Sequence, residues 1–170
     1  MFTDVAKDFD DNQREAVVDM GMRSMLDVQC PNLMNPVCEW LGSIYEPKSR
    51  EFVIPSRGRL PLDEDSVFDT LGVPRGHILV PYKVDNVVQE RLFPDMFPGL
   101  EAIPMTTTLA TSLAAMRSSG DVFKRKCLML LISTVFAPTT STRPSNRCFP
   151  ILVGDFLFLH RSLFSKCYLC

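Results

Sequence analysis

Ten of the thirteen prolines in this chain fall between Pro31 and Pro104. Proline lacks an amide hydrogen and fixes φ, so it ends helices and is confined to the edges of sheets. The middle of the chain can therefore hold only short elements, each with its own stop, and long helices are excluded there. Composition sets the scale around this constraint. At 170 residues and 46% hydrophobic content, the chain has the size and apolar fraction of one globular domain. Six cysteines are too few for a disulfide scaffold.

Local patterns then place the elements. Residues 1–9 are polar and are expected to be a disordered N-terminus. Asp10 or Asp11 can cap a first helix, with Val17, Val18 and Met20 apolar and Gly21 as the stop. Leu26, Val28 and Cys30 alternate with Asp27 and Gln29, which predicts a short half-buried strand or extended segment. Leu33, Val37, Trp40, Leu41 and Ile44 form one apolar helical face. Pro31 can occupy the first turn, Pro36 delays the regular helix to about Asn35, and Pro47 prevents continuation.

Residues 51–62 read as a hairpin, with Phe52-Val53-Ile54 returning through Leu60-Pro61-Leu62 across the Ser56–Arg59 turn. Asp63 caps the next helix, whose face is Val67, Phe68 and Leu71, and Gly72 and Pro74 end it. A short helix is expected near Val84–Leu92, and another from Thr106 or Thr107 carrying Leu109, Leu113 and Met116. Asp121 opens the most apolar helix, about 121–136, which is predicted to be central because apolar residues occupy most of its sides. Residues 139–147 are a polar loop.

The net charge of −2 conceals an asymmetry. Residues 1–116 hold 10 basic and 18 acidic side chains, while residues 117–170 hold 8 and 2. A basic C-terminal part can meet a polyanion, or can simply complement the acidic part within one fold. The N-terminus has neither the basic nor the apolar region of a secretory signal. The apolar stretches Cys127–Ala137 and Phe149–Leu159 reach about half the ~20 residues a membrane span needs, so both are read as core. The expected setting is intracellular, without membrane attachment and with reduced thiols.

Candidate chemistry is sparse. Cys167 and Cys170 form a C-x-x-C, but a zinc site needs two more ligands at suitable spacing, and Cys30, Cys38, Cys148 and His160 do not supply them. His77 and His160 carry no signature of a Cys–His nucleophile pair. The acidic run Asp63–Asp65 is accounted for by capping and the helix dipole. Phosphate-binding glycine motifs are absent. No metal, cofactor, catalytic residue or small-molecule substrate is therefore assigned. The candidate polyanion contacts are Arg57 and Arg59 across the hairpin turn, Lys124, Arg125 and Lys126 on the apolar helix, and Arg143 and Arg147 in the polar loop. Arg57 and Arg59 can equally be a solvated hairpin tip, and Lys124–Lys126 a solvated helix face.

Two blocks carry a family resemblance. The first is Phe52-Val53-Ile54-Pro55-Ser56-Arg57-Gly58-Arg59-Leu60-Pro61, then Ser66-Val67, then Leu71-Gly72-Val73-Pro74-Arg75-Gly76. The second runs from Asp121-Val122-Phe123-Lys124-Arg125-Lys126 through Phe136–Ser141 to Cys148-Phe149-Pro150-Ile151-Leu152. Together they resemble transposon-derived plant proteins, especially of grasses, and the first is similar to the aminotransferase-like plant mobile domain. The resemblance spans about residues 10–152. It implies a mostly helical domain with a small hairpin. In some such proteins this region precedes a SUMO-protease-like cysteine peptidase domain. None of that domain's His, Asp and Cys signatures can be placed here, and no lysine has a context for pyridoxal phosphate.

The expectation is therefore a mainly α fold with a small β-hairpin, a single irregular helical domain over 10–152 that is incomplete. The expected function is a non-enzymatic, transposon-derived interaction module, nuclear and associated with nucleic acid, chromatin or protein. The alternatives are an accessory region of a SUMO-protease-like peptidase lacking its catalytic domain, or a non-functional fragment. Residues 153–170 are expected to be an atypical tail from a truncated or mis-spliced gene model. Transcript sequencing across the codon for Leu152 checks this, and an abundant continuous transcript encoding the tail would overturn it.

Overall fold

A computed structural model describes residues 2–28, 34–73, 82–138 and 140–153. It is mainly helical with one small antiparallel sheet. The expected strand residue Cys30, the helix-opening residues Pro31 and Leu33, the helix stop Pro74, the loop residue Thr139, His77, His160 and the Cys167–Cys170 pair lie outside the described residues, as does all of the tail but Val153.

The chain begins with a helix where disorder was expected. α1 (Phe2–Ala6) buries Phe2, Val5 and Ala6, and Phe9 follows on the same side. The spacing 2, 5, 6, 9 is a helical stripe, and its burial outweighs the polar residues between. The Phe9 ring meets Phe123 edge-on with centroids 5.2 Å apart. Arg14 donates to the Phe9 and Ala6 carbonyls at 3.2 and 2.9 Å, closing the end of α1. α2 (Asp11–Asp19) opens with a capping box between Asp10 and Gln13. Buried Gln13 also donates to the Met116 carbonyl at 2.9 Å, tying α2 to a residue 103 positions away.

The expected strand around Leu26–Cys30 is instead α3 (Arg23–Asp27) up to the last described residue, Val28. Met22, Met25 and Leu26 fall at i, i+3 and i+4. Burial of both methionines favours the helix over a three-residue alternation.

α4 (Asn35–Ile44) carries Pro36 in its first turn, where the missing amide costs nothing. The chain then enters a three-stranded meander. β1 (Tyr45–Glu46), which the hairpin reading did not include, pairs with β2 (Glu51–Ile54), and β2 pairs with β3 (Gly58–Pro61). Gly58 has φ +112°, a value open to glycine, so the Pro55–Arg57 turn depends on it. The free edge of β3 is four residues long and ends in Pro61, which has no amide hydrogen to offer.

α5 (Glu64–Leu71) is bounded as expected, by an Asp63–Ser66 capping box and by Gly72 in the left-handed conformation. Ser66 amide donation to Asp63 holds that carboxyl below its ordinary range. Ser24 donates to the Leu71 carbonyl, which fastens the end of α5 to α3.

α6 (Asn86–Met96), α7 (Thr106–Ala115) and α8 (Asp121–Leu131) complete the helices. Every residue of α8 from Cys127 to Leu131 is fully enclosed, so its predicted central place is correct. α2, α6 and α7 pack on it, and Phe9, just past α1, meets it at Phe123. The predicted 121–136 helix changes pitch at Ile132. Residues Ile132–Phe136 are π-helical, closed by the Ala137 amide on the Ile132 carbonyl at 2.7 Å. Ser133 and Thr134 hydroxyls donate back to Met129 and Leu130, which loosens the ladder there. A 3-10 segment, Asn146–Leu152, places Cys148, Phe149, Ile151 and Leu152 against α6 and α8.

Candidate interaction surface

The seven basic candidates do not share a single role. Consecutive helical residues are about 100° apart, so Lys124, Arg125 and Lys126 point three ways. All three are half-buried, not solvated. Lys124 lies 3.6 Å from the Asp19 carboxylate. Arg125 donates to the Leu152 carbonyl at 3.2 Å and sits 3.7 Å from Asp121. The Lys126 ammonium lies over the Phe97 ring, 5.4 Å from its centroid, and burial pulls its pKa down. These side chains hold α2, α6, α8 and the 3-10 segment together, which makes them poor polyanion contacts.

Arg143 is exposed but donates to the Ile103 carbonyl, closing the polar loop onto the approach to α7. It lines a shallow cleft of about 470 Å³ together with Gln89, Glu101 and Asn146. The Glu101 carboxylate in that cleft opposes an anionic ligand. Arg147 is exposed at the start of the 3-10 segment. Arg57 is exposed in the hairpin turn, while Arg59 is paired with Glu51 at 2.7 Å across the β2–β3 register.

The cysteines divide by environment. Cys38 is exposed on α4, and Cys127 and Cys148 are buried. Burial raises both buried thiols, Cys148 to about 12, so neither is a thiolate near neutral pH. Among the described residues, no group of three His, Cys, Asp or Glu side chains could hold a metal.

The surface that the sequence did not reveal lies between Met34 and Gly72. None of the described side chains in that stretch is buried. α4 packs on β2, and Leu41 and Ile44 are half-covered by that contact. Met34, Val37 and Trp40 continue the same ridge, 67%, 42% and 48% exposed. The β register puts Tyr45, Phe52 and Leu60 on one sheet face, with the Tyr45 and Phe52 rings 5.4 Å apart and Leu60 54% exposed at the edge. Phe68, expected to be buried on α5, is 42% exposed. Periodicity marks such a face as apolar. It carries no signal for whether anything covers it.

This geometry sits within a recognised family boundary. The chain belongs to the family described as Domain of unknown function (DUF8566). The match covers residues 1–155. It includes α1, so residues 1–9 lie inside the matched region. No curated protein and no solved structure matches the chain. Among the described residues, no helix is long and apolar enough to cross a membrane; of the apolar stretch Cys127–Ala137, Cys127–Ile132 and Phe136 lie in the core while Val135 is exposed.

Proposed function

We propose that this protein is a non-enzymatic interaction module that binds a protein partner through α4 and the adjoining sheet. The observation that carries the reading is α4. It has ten residues, one apolar ridge and no buried side chain. Scattered exposed apolar residues are ordinary, whereas a contiguous ridge of them is a contact surface. Tryptophan is the residue type most enriched where binding energy concentrates, and Trp40 lies on this ridge. Burial and raised thiols make Cys127 and Cys148 poor nucleophiles. Descent from a mobile element and a nuclear setting belong to the same proposal. They rest on the plant-mobile-domain resemblance, whose first block falls on β2, β3 and α5.

The test is affinity capture with the wild type beside Trp40→Ser and Val37→Ser. A partner held by the wild type and weakened about 30-fold or more by Trp40→Ser, at unchanged melting temperature, is the expected result. Undiminished binding by both variants overturns the proposal. A polyanion contact is the second reading, favoured by the exposure of Arg57 and Arg147. It requires duplex DNA binding that falls steeply with salt and weakens in Arg57→Glu and Arg147→Glu. No detectable binding at about 50 mM salt removes it.

A further inference from the structure

We draw no further inference here: the strongest candidate, the exposed apolar ridge of α4 formed by Met34, Val37 and Trp40, already belongs to the surface described above, and nothing in the structure shows what covers it.

Discussion

α4 and α8 are nearly equal in length, ten and eleven residues, and both carry a clear apolar face. Their surroundings differ completely. α8 is enclosed by α2, α6, α7, Phe9 and the 3-10 segment, and six of its residues are buried. α4 rests on a sheet whose strands are two to four residues long, and none of its residues is buried. Such a sheet is too narrow to cover a helix. Apolar periodicity thus does the same local work in both, fixing helix and face. Only the number of elements available to pack decides whether that face becomes core or surface.

The proline distribution does not by itself separate the two regions. α6 lies within the proline-rich stretch, has eleven residues like α8, carries Pro94 inside it and still packs on the core. Residues 2–27 and 86–153 hold nearly all the buried apolar side chains, Val73 being the exception beside the α5 cap.

The largest expected difference between the two regions is thiol reactivity. At pH 8 a thiol with pKa of about 12 is roughly one part in ten thousand thiolate. Site-resolved alkylation of the native protein should label Cys38 rapidly and leave Cys127 and Cys148 unlabelled until denaturant is added. Equal labelling of all three at native conditions would dissolve the distinction between enclosed and open regions.

Truncation of the core comes next. Phe123 is fully enclosed and stacks edge-on with Phe9. Phe123→Ala should cost about 3–5 kcal/mol in urea unfolding followed by circular dichroism. A loss below about 1 kcal/mol would mean that Phe9 does not close over α8 as described.

The junction between the regions should respond less. Gly72 ends α5 at φ +63°, and an added Cβ would lie 2.9 Å from the Ser24 Cβ and Oγ. Gly72→Ala therefore combines left-handed strain with a close contact to α3, and about 1–3 kcal/mol is expected. If the variant is neutral, α5 is not anchored to α3.

Much of this fold was legible because its signals are local. Asp63 and Gly72 bound α5 through capping and left-handed geometry that involve only neighbours. α4, α7 and α8 followed from apolar spacing. The misreadings needed knowledge of distant partners. α1 is a helix because Phe9 meets Phe123, 114 positions later, and α3 is a helix because Met22 and Met25 reach the same core. β1 has only two residues and exists by pairing with β2. The basic candidates were visible as residue types. Their roles were not, since Lys124, Arg125 and Lys126 engage Asp19, Leu152 and Phe97, none of which is marked by spacing. The ridge of α4 was read as apolar, and its exposure was not legible, because a pattern shows what a face is made of and not what lies opposite.

The smallest expected effect is the most informative. Trp40 is the single tryptophan of the chain and is 48% exposed. If its ring belongs to a contact surface, it contributes little to the isolated fold, and Trp40→Ser should change stability by no more than about 0.5–1 kcal/mol. A buried aromatic truncation costs several times that, as expected for Phe123. The same residue offers a second readout, because a solvated indole emits at longer wavelength than an enclosed one. Emission from the native protein should therefore lie close to that in urea and should shift to the blue when a partner is added. A stability loss of about 3 kcal/mol or more, or native emission already far to the blue, would make α4 a second core helix like α8. The contact-surface reading would then fall while the rest of the fold stood.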